Sequence, residues 1–253
     1  VVEEREQALY LQNDLELLLP GRQVLLFPAS SKRPYQIEAV DNANVVQRAE
    51  VLHALARAEP GATVVVSYAE ALAEKVVERK SLIGSTLELA VGERLGLDFV
   101  QETLESYGYE ATDFVYEPGQ FAVRGGIIDL YSYSHELPLR LEFLGEEIES
   151  IRSFDPGSQL SQKKYERLGI IPTPAHLEKQ ATRVGILEYI SPATLLCIQD
   201  LGVALQELDK VYLRAQARHQ ELRAGKGDIP KMAEPAALYT DSEAFLAQLK
   251  DFA

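Results

Sequence analysis

Two kinds of strand pattern share this chain, and their order constrains the fold more than any other feature. Near the start, QVLLF (Gln23 to Phe27) and ATVVVS (Ala62 to Ser67) are short, continuous apolar runs. Such runs suit a parallel sheet covered on both faces. The style changes near Ser85. TLELAV, TDFVYE, GQFAVRG, GIIDLYS, LPLRLEF, EIESIRSF and YERLGII then follow in quick succession, joined by short stretches rich in glycine, proline or charge. That spacing predicts an antiparallel meander. It carries one helix, LDFVQETLESYGY, which should stop at Gly108, and a tight turn at GEE between Phe143 and Ile148. Near Pro172-Thr173-Pro174 the continuous runs return as RVGILEYI and TLLCIQD, again expected to be buried strands.

Helices fill the gaps. Leu11, Leu15, Leu18 and Leu19 recur at helical spacing and are stopped by Pro20-Gly21. Further helices are expected from about Asn44 to Ala58, from Ala69 to about Lys80, and from about Leu201 to Ala224 with an apolar stripe at 205, 208, 211 and 212. DSEAFLAQLKDF should form a last helix capped by Asp241 or Ser242. ASSKRPYQ and AGKGDIPKMAEP are expected to be loops, and Pro60-Gly61 a turn. Strand and helix in alternation, then strands together, then alternation again, predict an α/β fold. Its expected form is a discontinuous parallel-sheet domain, 1–84 and 174–253, with an antiparallel α+β domain, 85–173, inserted into it.

The chain's 253 residues are enough for two cores, and 46% hydrophobic with 25% charged is ordinary globular composition. No apolar run approaches the length needed to cross a bilayer. The opening VVEEREQALY lacks a basic region followed by an apolar stretch, so it does not read as a signal peptide; it reads as the continuation of a longer chain. The single cysteine, Cys197, excludes an internal disulfide and suits a reducing cytoplasm; its apolar setting predicts burial.

No catalytic constellation is visible. G-x-x-x-x-G-K-[ST], whose glycines let backbone N–H groups wrap phosphate, is absent; Gly225-Lys226 is followed by Gly227 and reads as loop. His53, His135, His176 and His219 are scattered without metal-ligand spacing. One feature resembles a motor remnant: LLCIQDLG would be a strand ending in Gln199-Asp200, where an ATPase places consecutive acids to hold magnesium. The plainer reading is a strand followed by a capped helix. The chain is therefore expected to be no enzyme and to hold no cofactor or metal. Incubated with ATP and magnesium, it should release phosphate no faster than the buffer blank; magnesium-dependent release above that level would refute this.

The net charge of -14 opposes the approach of phosphate backbones, and no stripe of basic and aromatic residues is visible. Binding to duplex DNA should accordingly be weaker than micromolar at about 0.15 M salt. A fluorescence-anisotropy titration checks this, and tighter binding would reveal a basic face.

The most specific stretch is YEPGQFAVRGGIIDLYSYSHELPLRLEFLGEEIESIRSFDPGSQ, Tyr116 to Gln159. It contains G-x-[FY]-x-x-R-G, an apolar-Asp-apolar strand, and R-[LV]-[ED]-F-[FL]-[GD]-[DE]-E-[IV]. This long pattern resembles the UvrA-binding domain shared by transcription-repair coupling factors and the excision-repair protein UvrB. VYEPGQFAVRGGIIDLYS, LPLRLEF and SFDPGSQLS, with LFPASSKRPYQIEAVDNANVVQRAEVL and SYAEALAEKVV upstream, favour the coupling factors. The resemblance weakens beyond about Leu177. Two departures from UvrB matter: KRPYQIEAVD stands where UvrB has a tyrosine-rich DNA-gripping hairpin, and the P-loop is missing.

The resemblance implies an adaptor that binds UvrA through Arg124, Arg140 and Leu144, the last standing where phenylalanine is common. It also implies that RNA polymerase, DNA, ATP and magnesium are met by other parts of the full-length protein. The alternative is a UvrB-like damage-verifying ATPase fragment, which the missing P-loop and hairpin oppose. A third reading, a clamp that keeps the motor inhibited, is compatible with the first. From strand geometry alone, Arg140 and Glu142 share one face while Leu141 and Phe143 share the other. Arg124 and Arg140 are expected to be exposed, forming a cationic spot on a domain with 16 Asp and Glu against 7 Lys and Arg over residues 85–173. The competing reading for each arginine is an intradomain ion pair.

Overall fold

The computed structural model describes residues 1–30, 42–57, 63–180, 182–224 and 233–252. The expected loops at ASSKRPYQ and AGKGDIPKMAEP lie largely outside these residues, as do KRPYQIEAVD, Pro60-Gly61 and Gly225-Lys226. In chain order the elements begin with helix α1 (Arg5–Leu18), strand β1 (Gln23–Phe27), α2 (Asn42–Arg57), β2 (Thr63–Ser67), α3 (Ala69–Ala73), β3 (Val76–Val77) and α4 (Arg79–Gly84). There follow β4 (Leu87–Ala90), α5 (Leu97–Ser106), β5 (Glu110–Ala111), β6 (Gln120–Arg124), β7 (Ile127–Leu130), β8 (Leu139–Leu144), β9 (Glu147–Phe154), β10 (Ser161–Lys164) and β11 (Arg167–Ile170). The last are α6 (Pro174–Gln180), β12 (Arg183–Val184), α7 (Ile186–Tyr189), α8 (Leu201–Ala224), α9 (Pro235–Leu238) and α10 (Ser242–Leu249). The fold is mixed α/β. Contacts divide it into two compact units: Val1–Arg79 with Thr182–Ala253, and Lys80–Ala181.

In the first unit β1 and β2 pair in parallel, Gln23 opposite Thr63 through Phe27 opposite Ser67. Among the described residues the sheet has these two strands, with Val2 bridging to Tyr68 just beyond β2, and several of their residues stay half-exposed. Helices α1 and α2 pack on β1. From α2 the buried Arg48 lies over the Phe27 ring at 4.2 Å and donates to the Pro28 carbonyl at 2.6 Å, beside Glu74 at 3.5 Å. A guanidinium can be buried because its N–H groups are met there by carbonyls and a carboxylate.

Several expected elements in this unit are corrected. The helix expected from Ala69 to Lys80 is broken: the chain turns extended at Glu74, the Lys75 N–H donates to the Leu238 carbonyl at 2.8 Å, and the β-branched Val76 and Val77 pair with Arg183 and Val184. RVGILEYI keeps only that two-residue strand. Gly185 then opens α7, where Glu188 Oε1 accepts from the Gly185 N–H at 3.2 Å. TLLCIQD is not a strand: Ser191-Pro192 starts a turn, Leu195 is 82% exposed, and Cys197 is exposed rather than buried. Asp200 accepts from the Val203 N–H at 3.0 Å and so caps α8, which leaves no strand end for a magnesium-binding acid. The buried stripe of α8 is Ala204, Leu208, Val211, Ala215 and His219, shifted from the expected positions 205 and 212. Asp241 caps α10 by accepting from the Ala244 N–H at 2.8 Å.

In the second unit six strands form one sheet, ordered β10-β9-β8-β7-β6-β5. Neighbours are antiparallel except the short β5, which runs parallel to β6. β11 pairs separately with β4. Alternation places Phe121, Ile128, Leu130, Leu141 and Phe143 in one core together with Val100 and Leu104 of α5. Gly108 takes φ 83°, which ends α5 at little steric cost. Gly145 takes φ 65° in the two-residue turn between Leu144 and Glu147. TDFVYE is not a strand, because Gln120 Oε1 captures the N–H groups of Tyr116 and Glu117 at 2.9 and 3.0 Å and holds the segment out of the ladder. β10, polar along both faces, carried no alternation to reveal it.

Candidate functional site

Core packing of β6, β7 and β8 leaves their other face outward, and the register decides what meets there. Ala122 lies opposite Asp129, Asp129 opposite Arg140, and Arg140 opposite Arg152. One row over, Arg124 faces Ile127, Ile127 faces Glu142, and Glu142 faces Ser150. Arg124 and Arg140 therefore converge on one carboxylate. Arg140 grips Asp129 with both arms, Nε to Oδ1 at 2.6 Å and Nη2 to Oδ2 at 2.8 Å, and Arg124 Nη2 donates to the same Oδ2. The side chain of Asp129 is 1% exposed, that of Arg140 17% and that of Arg124 42%. The bonded carboxylate holds the Arg140 guanidinium above its ordinary range. Glu142 is matched separately by Arg152 and by the Ser150 hydroxyl at 2.7 Å.

Both guanidiniums rest on aromatic rings, Arg140 over Phe154 at 4.4 Å and Arg124 over Phe114 at 5.0 Å. The SFDPGSQ segment closes the far side. Asp155 Oδ1 accepts from the Ser158 N–H and hydroxyl at 2.7 and 2.8 Å, which lowers the Asp155 pKa. Gln159 sits at φ 60° and accepts from Arg140 Nη2 at 2.9 Å. Together these residues line an open cleft of about 510 Å³, walled by Phe114, Tyr116, Ile127, Pro156 and Gly157 around the arginine–aspartate group. Among the described residues its lining brings together two guanidiniums and one carboxylate, besides the Tyr116 phenol.

The structure thus brings Arg124 and Arg140 together, and realises the intradomain ion pair at the same time. The expectation of a freely exposed Arg140 is corrected: it lies against a buried carboxylate. Leu144 is 73% exposed on the same face of β8, four residues beyond Arg140, and does not line the cleft. At strand rise that separation is about 13 Å. Sequence reasoning did not single out Asp129 or Gln159. The signal for Asp129 was an acid inside the apolar strand GIIDLYS; Gln159 had none beyond its place in SFDPGSQ. Among the described residues no three His, Cys, Asp or Glu side chains are grouped so as to hold a metal ion, and no helix is long and apolar enough to cross a membrane.

Comparison with known proteins adds a family to this geometry. Residues 87–176 match the UvrB interaction domain. The chain is 29% identical to the transcription-repair-coupling factor of Bacillus subtilis over 221 residues, 87% of this chain and 18% of that protein. It is 32% identical to that of Myxococcus xanthus over 72% of this chain and 16% of the relative, and 38% identical to that of Escherichia coli over 40% and 9%. The UvrABC system protein B of Thermosipho africanus is 29% identical over 53% of this chain and 18% of its own length. The chain spans less than a fifth of each of these relatives.

Proposed function

We propose that this chain, related over most of its length to the transcription-repair-coupling factors and carrying a UvrB interaction domain, is a docking module for UvrA. The observation that carries the reading is the pair of guanidiniums preset on one buried carboxylate, at an outward sheet face inside the matched domain. Arginine suits that work because its planar fork pairs with carboxylates in two directions, and a fork already held in place loses little freedom on binding. Leu144 supplies an apolar contact at the hairpin end of the same strand. The role is recruitment of nucleotide excision repair to RNA polymerase stalled at DNA lesions. Polymerase and DNA are engaged, and ATP with magnesium is used, by other parts of the longer protein. This stretch is a non-catalytic adaptor, and its parallel-sheet unit is a degenerate UvrB-like domain interrupted by the docking module.

Arg124→Ala tests the site, since a 42% exposed side chain can be removed with little effect on the fold. Titrated calorimetrically against purified UvrA, it should lose roughly 2 kcal/mol or more of binding free energy, the range of an interface hot spot. Its melting temperature should stay close to the parent's. Parent-like affinity would place the docking surface elsewhere.

A further inference from the structure

We infer that Phe114 and Tyr116 are the second half of this site: an aromatic ledge that seats an apolar side chain of the partner next to a carboxylate held by Arg124. The proposal rests on the docking reading and specifies the partner segment, an acidic residue flanked by an apolar one. Phe114 and Tyr116 are 52% and 63% exposed, while Val115 between them is 3% exposed and pins the segment to the unit. The Gln120 side chain fixes the backbone by accepting from the Tyr116 and Glu117 N–H groups. The two rings lie 6.4 Å apart at a tilt of 40°, and both line the cleft. A fixed pair of exposed rings costs little ordering on binding, which is what makes aromatic anchors effective at interfaces.

Charge decides the other half. Arg124 commits one Nη2 contact to Asp129, and its Nε and Nη1 make no hydrogen bond among the described residues. The cleft lining sets two guanidiniums against one carboxylate, which leaves room beside Arg124 for a further negative group. A phosphate backbone would supply it, but residues 85–173 hold 16 Asp and Glu against 7 Lys and Arg, so the surroundings repel an extended polyanion. A single protein carboxylate meets the local charge without that penalty, and only a polypeptide brings an apolar side chain to the rings beside it.

The experiment is calorimetric titration of purified UvrA into the parent, Phe114→Ala, Tyr116→Ala and Arg124→Ala, each with a melting curve and at three salt concentrations. Phe114→Ala and Tyr116→Ala should each weaken binding about tenfold with an unchanged slope of log affinity on log salt. Arg124→Ala should weaken it and flatten that slope. If Arg124→Ala weakens binding while both ring variants bind like the parent, the ledge is refuted and the docking reading stands. If none of the three changes binding to UvrA, the docking site itself is wrong and the ledge falls with it. Should Phe114→Ala lower the melting temperature, Tyr116→Ala decides alone, because its ring is the more exposed of the two.

Discussion

Phe143→Ala should destabilise the unit Lys80–Ala181 by roughly 3–5 kcal/mol, the cost of deleting a buried ring and leaving its cavity. Phe143 is 9% exposed and packs in the core that joins the sheet to α5. It lies opposite Ile148, where β9 carries an extra residue: Glu142 pairs with Ser150 but Phe143 with Ile148. The bulge keeps Phe143 and Ile148 both inward although the register has shifted. The neighbouring turn is equally tight. The Phe143 N–H donates to the Gly126 carbonyl at 2.8 Å, and a Cβ on Gly126 would stand 3.0 Å from the Phe143 carbonyl oxygen. The backbone therefore has little room to collapse into the space left by the ring. Urea unfolding followed by circular dichroism measures the effect, and a loss below about 1 kcal/mol would show that the ring is not part of the core.

Arg140→Ala should be the second large effect, and it should strike stability as well as docking. From sequence alone an exposed arginine would cost about 0.5 kcal/mol or less. The structure revises that estimate, because Arg140 supplies two of the three contacts to a carboxylate that is 1% exposed and covers the Phe154 ring. Removing it leaves Asp129 buried with Arg124 alone. The lost charge-assisted bonds to a buried carboxylate that keeps only its Arg124 contact put the loss at roughly 2–4 kcal/mol. The cause can be isolated by a second substitution. Asp129→Asn in the Arg140→Ala background should recover part of the loss, since a neutral amide is less costly to bury than a carboxylate left with one of its three contacts, while the shape is kept. An Arg140→Ala protein that melts like the parent, or a double variant no more stable than the single one, would show that the pair does not hold the face together. Arg124→Ala, with its single contact to Asp129, should remain close to the parent in stability, so the two arginines separate a structural role from a binding one.

Much of the second unit was legible because alternation is a local signal. The structure builds β6 to β9 from GQFAVRG, GIIDLYS, LPLRLEF and EIESIRSF; burial alternates along LPLRLEF, while Ala122 and Asp129 on the other face of β6 and β7 are buried as well. Gly108 and Gly145 marked a helix stop and a turn that both require positive φ. The same logic failed where periodicity carries no information. A continuous apolar run of four to eight residues fits a buried strand or a short helix equally well. RVGILEYI forms a two-residue strand paired with β3 and then a helical turn, and TLLCIQD an irregular segment, bonded through the Cys197 carbonyl to the Val1 amino group, that leads to the Asp200 cap. TDFVYE failed for a different reason: a single side chain, Gln120, took the N–H groups that a ladder would have used.

By itself the amino-acid sequence determined which residues face out from β6, β7 and β8, since side chains alternate whatever the strands pair with. It therefore placed Arg140 and Glu142 on one face and Leu141 and Phe143 on the other. It did not determine that Arg124 and Arg140 meet, nor on what. That depended on β7 lying between their strands in a register that sets Asp129 beside Ala122 and Arg140 at once. Register is a property of pairs of strands, and a slip of one residue would have turned Asp129 into the core. Hence the charge of the outward face was readable from the chain, while the buried carboxylate that binds its two arginines into one unit was decided only by the tertiary structure.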